Sequence, residues 1–166
     1  MSRIGREGPK GSVSRRSLLT GSAVAAGAAA VIWTVLRASP SVAGPTVTVW
    51  KSSECTCCGG WVAYMRNRGY KVNVHEMEDV NARKTALGIP EQLWSCHTSE
   101  IDNYLIEGHV PEAAIAKLLK ERPDVKGLAL PGMQSGAPGM DGAPGTYRVL
   151  AFDRDGRSRL FLTTGV

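Results

Sequence analysis

Along residues 44–166 the apolar positions alternate in some stretches and recur at helical spacing in others, which predicts short strands interleaved with helices. Thr46-Val47-Thr48-Val49-Trp50-Lys51 is β-branched and alternating, a first strand that runs directly into a cysteine-rich segment. From Cys57 to Arg68 the residues Trp61, Val62 and Met65 return once per helical turn, and Gly69 is placed to end that helix. Lys71 to Met77 alternates again, with Val72 and Val74 on one side and Asn73 and His75 on the other. Asp79 to Leu87 predicts a short helix stopped by Gly88-Ile89-Pro90. Leu93 to Thr98 and Tyr104 to Glu107 predict two strands, with Ser99 to Asn103 as the turn between them. A clear helix follows: Pro111 takes its first position, Glu112 adds negative charge to its first turn, and Ala114, Ile115, Leu118 and Leu119 form its apolar stripe up to Arg122-Pro123.

Gly127 to Leu130 predicts a further short strand. Pro131 to Gly145 is too rich in Gly, Pro and Ala for regular structure and reads as a flexible loop carrying Met133 and Met140. Tyr147 to Phe152 and Ser158 to Thr163 flank Asp153-Arg154-Asp155-Gly156 as a C-terminal β-hairpin. The fold class expected from this order is α/β: a single thioredoxin- or glutaredoxin-like domain with an added Gly/Pro/Met loop and hairpin. Ile89-Pro90 falls where such domains carry a cis-proline facing their cysteines.

The first 43 residues read differently. Ser14-Arg15-Arg16-Ser17-Leu18-Leu19 opens a mild apolar stretch to Leu36, and Ser41-Val42-Ala43 offers a small-residue cleavage site. This is the pattern of a twin-arginine export signal, so the expected domains are a leader at 1–43 and a periplasmic metal-binding domain at 44–166. Gly21 and Gly27 break the apolar stretch, which favours a cleaved leader; contact with a membrane is expected only through an uncleaved signal. The leader also holds the chain's whole net charge of +5, leaving 14 basic residues against 14 acidic ones in the remainder. That balance excludes an electrostatic footprint for nucleic acid.

Candidate chemistry concentrates in Cys55-Thr56-Cys57-Cys58 and Cys96. The first three lie between a strand and a helix N-terminus, where free amides and the helix dipole favour thiolate, the species that binds soft metals and attacks disulfides. Two structural disulfides are the ordinary use of four cysteines in an oxidising compartment, but three within four residues are poorly placed to restrain a chain. Tetrahedral zinc usually draws two separated ligand pairs, whereas the division here is three and one. Cu(I) accepts crowded and bridging thiolates, so copper is the expected metal, with zinc the lesser candidate and Cu(II) a second oxidation state. His97 beside Cys96, and the thioethers of Met133 and Met140, complete the expected ligands, with the Met loop also a candidate lid. His75 and His109 read as ordinary polar residues, and Trp50, Trp61 and Trp94 as core. The competing function is a thiol-disulfide oxidoreductase with Cys55 as nucleophile and Cys58 as resolving thiol. It needs neither Cys57, Cys96 nor a Met loop, and catalysis stays open.

Glu54-Cys55-Thr56-Cys57-Cys58-Gly59, Ser95-Cys96-His97-Thr98, Tyr104 to Pro111, Pro131-Gly132-Met133 and Gly136 to Met140 together resemble the CopG-type copper-resistance family of periplasmic metal-binding proteins. The resemblance spans essentially all of residues 44–166. It implies a thioredoxin-like fold, four cysteines used for copper, a role in copper tolerance with interconversion of Cu(I) and Cu(II), and other periplasmic copper-handling proteins as partners. Gln134, Ala137 and Asp141 stand where family members often carry Pro, Ser and Glu, which leaves the sulfurs in place.

Overall fold

The structure, a computed structural model, describes residues 44–165; the expected export leader lies outside the described residues. Strand β1 (Thr46–Lys51) alternates as its sequence does, with Val47, Val49 and Lys51 buried. It pairs parallel with β2 (Lys71–Glu76) through the crossover helix α1 (Thr56–Arg66), and antiparallel with β3 (Thr98–Ile101). Helix α2 (Val80–Ala86) follows β2, and its cap, Asp79, accepts a 2.8 Å hydrogen bond from the Ala82 amide. β3 and β4 (Tyr104–Glu107) form a hairpin, helix α3 (Glu112–Glu121) leads to β5 (Gly127–Ala129), and β6 (Thr146–Phe152) turns back into β7 (Ser158–Gly165). The seven strands make one mixed sheet in the order β2-β1-β3-β4-β5-β6-β7.

Alternation along the strands sends side chains to two different cores. Trp61, Val62 and Met65 of α1 and Ala114, Ile115 and Leu118 of α3 pack with Val47, Val49, Ile101, Ile106, Leu128 and Val149 on one face. Leu105, Ala129 and Phe152 face the other way, against Ile89 and Leu93. The Trp61 ring is fully buried and its Nε1–H donates to the Val110 carbonyl at 3.0 Å. Trp50 and Trp94 are only half-buried. No helix among the described residues is long and apolar enough to cross a membrane.

Two expectations are corrected. The residues from Leu93 to His97 are not a strand: Glu91–Leu93 is a 3-10 turn, and the strand starts at Thr98 and runs through the segment expected to turn. The turn is the two residues Asp102 and Asn103, both in the left-handed region (φ 49° and 69°), the conformation of a two-residue hairpin loop that Asp and Asn tolerate. Pro90 heads the 3-10 turn, and no cis peptide bond occurs among the described residues. The segment that faces the cysteines is Cys96-His97, immediately before β3.

Candidate metal centre

Strand register brings four distant segments to one end of the sheet. Trp50 pairs with Thr98, Thr98 with Glu107, and Glu107 with Ala129. The residues beyond those pairs therefore emerge side by side: Cys55 to Cys58 after β1, Cys96 and His97 before β3, His109 after β4, and the loop from Leu130 after β5.

The four cysteine sulfurs lie within 4.8 Å of one another. Cys55 and Cys58 form a disulfide, while Cys57 and Cys96 are free thiols. Cys57 Sγ is 3.6 Å from Cys55 Sγ and 3.8 Å from Cys96 Sγ. Cys55 caps α1, whose first turn has no acidic residue and no side-chain cap, so the helix dipole acts on the sulfurs unopposed. Burial, followed by the charge of Cys57 and a hydrogen bond with it, pushes the Cys96 thiol up to about 11.

Two imidazoles complete the cluster. His109 Nδ1 lies 2.7 Å from the Pro138 carbonyl oxygen, which only accepts, so Nδ1 carries the proton. Burial holds the His109 pKa below its usual value, so the ring is neutral at neutral pH and Nε2 presents a lone pair. That lone pair faces Cys96 Sγ at 2.8 Å and accepts the thiol hydrogen. A ring anchored through one nitrogen to a backbone carbonyl, with the other nitrogen free, is the arrangement that orients metal-ligating histidines. His97 is fully buried between Trp61 and His109, with ring centroids 4.8 and 4.9 Å away. Burial drives its pKa well below the usual value, with His109, Lys84 and Lys51 adding to the effect. Its Nδ1 lies 3.9 Å from Cys96 Sγ, and its Nε2 has no hydrogen-bond partner among the described residues. His109 is thus part of the cluster, against its sequence-based reading as an ordinary polar residue. His75 is exposed on β2, stacked on Trp50 with ring centroids 6.2 Å apart, and lies outside both metal-ligating groups.

The Cys96 segment is held from behind by a buried ion pair. Glu107 Oε1 accepts from the Ser95 amide at 2.6 Å and from Lys84 Nζ at 2.5 Å, and Lys84 also donates to Thr98 Oγ1 at 2.9 Å. Burial raises the Glu107 carboxyl and lowers the Lys84 ammonium, and each partner opposes the shift of the other.

The Gly/Pro/Met loop has no regular structure, as expected, and part of it is docked against the domain. Ala137 and Pro138 are buried, Tyr147 Oη donates to the Ser135 carbonyl at 2.9 Å, and Pro138 holds His109. Gly139, at φ 81°, lies so close to α1 that a β-carbon on it would come within 2.2 Å of the Trp61 amide nitrogen. Met133 and Met140 line a cleft of about 760 Å³ together with Glu54, Cys55, Cys57 and Asp141. Met133 is 67 % exposed at the rim, whereas Met140 packs against the main core.

The donor set is thiol, imidazole and thioether, enclosed on the sheet side and open at the cleft. Chemically it can hold a soft metal ion or exchange disulfides.

Comparison with known proteins places this geometry. Two solved structures, forms 1 and 2 of the copper resistance protein CopG, each share 38 % identity with the chain at a TM-score of 0.67. Each match covers 72 % of this chain and 98 % of the other. The family described as "Protein of unknown function, DUF411" matches residues 93–140, the stretch that holds Cys96, both cluster histidines, Met133 and Met140. No curated protein sequence matches.

Proposed function

The chain belongs to the family of the copper resistance protein CopG, and from that premise we propose that it binds copper as cargo through Cys55, Cys57, Cys58 and Cys96 in copper resistance. The observation that carries the reading is the convergence of four sulfurs within 4.8 Å at the mouth of an open cleft. Thiolate is the preferred donor of Cu(I), and sulfurs this close can bridge several ions. The neutral His109 Nε2, the buried His97 and the thioethers of Met133 and Met140 supply further donors around the same point.

The disulfide gives the site a redox arm. Oxidation of the Cys55/Cys58 dithiol to a disulfide yields two electrons and two protons, enough to convert two Cu(II) to two Cu(I). In the oxidised form the remaining donors are two sulfurs and two imidazoles, a set better matched to Cu(II). A full cycle would need an outside reductant to reopen the Cys55–Cys58 bond and an outside oxidant to return Cu(I) to Cu(II).

A thioredoxin-like fold is the reading of the first four strands. Their order β2-β1-β3-β4, with α1 and α2 after β1 and β2 and α3 after β4, supports it. Location in the periplasm, with the leader ending at Ala43, rests on the twin-arginine pattern of the sequence.

X-ray absorption of the reduced, copper-loaded protein tests the proposal. The expected first shell is dominated by sulfur, and Cys57→Ser lowers copper loading sharply while leaving the Cys55/Cys58 pair intact. A shell of mainly nitrogen and oxygen would remove the thiolate-cluster reading. The second reading, a thiol-disulfide oxidoreductase, is favoured by the closed Cys55–Cys58 bond. Robust disulfide reductase activity, with copper loading unchanged in Cys57→Ser, would put it first.

A further inference from the structure

The sulfurs of the cluster form a chain, and the order of its links is informative. Cys58 is bonded to Cys55, Cys55 lies 3.6 Å from Cys57, and Cys57 lies 3.8 Å from Cys96. Each free thiol sits against the sulfur that precedes it. At the far end the Cys96 thiol donates to His109 Nε2, a proton acceptor at 2.8 Å. We propose that the four cysteines form an intramolecular thiol-disulfide relay, in which the Cys55–Cys58 bond migrates through Cys57 to become a Cys57–Cys96 bond. The relay rests on reading this cluster as a redox-active thiol site, and it operates without metal.

Two exchanges accomplish the migration. Cys57, in the first turn of α1, loses its proton and attacks Cys55 Sγ; the Cys57–Cys55 bond forms, the Cys55–Cys58 bond breaks, and the electron pair leaves on Cys58. Cys58 is the third residue of the 11-residue helix α1, where the dipole stabilises a leaving thiolate before it takes up a proton. Cys96 then attacks Cys57 Sγ, giving up its proton to His109 Nε2, 2.8 Å away, only as the new bond forms. The Cys96–Cys57 bond forms, the Cys57–Cys55 bond breaks, and the electron pair leaves on Cys55, which takes the proton back. One disulfide and two thiols are present before and after, so no outside oxidant or reductant is consumed.

The migration moves the reactive bond between two openings. Cys55 and Cys57 line the Met133/Met140 cleft, whereas Cys96 borders an adjoining groove with Asn81, Trp94 and Ser95, the two openings meeting at Met133. Cys58 is fully buried and has no opening of its own. A reductant docking at the Cys96 groove can therefore discharge the disulfide without occupying the cleft that exposes Cys55.

Tryptic mapping reads the relay directly. Lys51, Arg66, Lys84 and Lys117 place Cys55, Cys57 and Cys58 together on the peptide 52–66 and Cys96 on the peptide 85–117. A Cys55–Cys58 bond stays within one peptide, and a Cys57–Cys96 bond cross-links the two. The full-length, metal-free protein, oxidised to one disulfide and two thiols, is held at neutral pH, quenched with acid, alkylated and digested. The expected result is a cross-linked fraction in the wild type that settles at a constant level and falls by about tenfold or more in Cys57→Ser. Cys58→Ser, which lacks the starting bond, is expected to yield the cross-link on oxidation and so keeps the test open should Cys57→Ser fail to fold. The relay is refuted by absence of the cross-link in the wild type, by an undiminished cross-link in a folded Cys57→Ser, or by its absence from Cys58→Ser. Cu(I) loading of the reduced wild type, measured against a chelator in the same preparation, separates the two ideas. Normal loading without a cross-link removes the relay alone, and a cross-link without loading removes only the copper reading.

Discussion

Replacing Lys84 by Met removes one half of a buried ion pair and leaves the other half behind. Both residues are fully buried, Lys84 Nζ sits 2.5 Å from Glu107 Oε1, and methionine fills much of the volume of the lysine stem. Removing one partner of a buried pair costs about 3–5 kcal/mol, because the survivor stays desolvated and uncompensated. That is a large share of the roughly 5–15 kcal/mol that holds a domain together. At an unfolding entropy of about 2.1 cal/mol/K per residue, a domain of about 120 residues converts that loss into a fall of about 12–20 °C in Tm. The pH dependence has a definite sign. Burial already raises the Glu107 carboxyl, and loss of Lys84 removes the main group opposing the rise. A carboxyl with a folded pKa above its unfolded value stabilises the fold below about pH 4.3, and that stability is lost as pH rises through the folded value. The penalty in Lys84→Met is therefore smallest in acid and grows as pH rises. Thermal and urea unfolding of the metal-free protein at about pH 5 and about pH 7.5 measure both effects, and adding Glu107→Gln should recover at least about 2 kcal/mol. A loss below about 1 kcal/mol, or one of equal size at both pH values, would refute the buried-charge argument.

The docked loop yields two further expectations. In Gly60→Ala the new β-carbon meets the Gly139 carbonyl oxygen at 2.7 Å and its α-carbon at 2.8 Å, both backbone atoms. The strain, about 1–3 kcal/mol, outweighs the gain of about 0.5–1 kcal/mol in helix propensity, so the variant unfolds at lower temperature and releases Cu(I) to a chelator more readily; a more stable variant would contradict the contact. Met133→Leu combined with Met140→Leu nearly preserves volume and is expected to weaken Cu(I) retention while shifting the metal-free Tm by only a few degrees, the larger part from Met140. Unchanged chelator competition would show that the thioethers are not donors.

How much of this was legible in the sequence depends on what each signal encodes. The limits of β1 emerge as read because β-branched alternation and burial coincide, and α3 emerges within a residue of its reading because its stripe and Pro111 agree. The β3–β4 hairpin was misplaced for a physical reason. Ser99, Glu100 and Ile101 look like turn and edge residues, yet the tertiary ladder makes them strand, and the turn needs only Asp102-Asn103. The same slip hid His109. With the turn at Asp102-Asn103, Thr98 faces Glu107, and two steps further out Cys96 faces His109. The dipeptide was visible, but the register that gives His109 its meaning was not. The loop was legible as irregular, but its docking was not, because glycine reports permitted conformations and not freedom. Here Gly60 and Gly139 serve close backbone approach, which composition alone does not distinguish from flexibility.

Charge decides which states the cluster can occupy. Four bare thiolates would place four negative charges within 4.8 Å of one another. The two imidazoles are held neutral by burial, and the nearby buried cation, Lys84, is engaged by Glu107. Among the described residues only the dipole at the start of α1 offsets that repulsion, and burial, followed by the charge of Cys57, raises the Cys96 thiol to about 11. Three ways remain to discharge it: protonate the sulfurs, join them as a disulfide, or bind cations. On the proposed reading each Cu(I) contributes one positive charge, so copper takes the place of protons on the same atoms. Loading must then release protons, and retention must weaken as pH falls, most steeply for ions bound through Cys96. Measuring proton release on titration of Cu(I) into the reduced protein in weak buffer tests this step. At neutral pH, close to one proton per bound Cu(I) is expected, and uptake without proton release would mean that the thiolates were already bare and that burial does not control them.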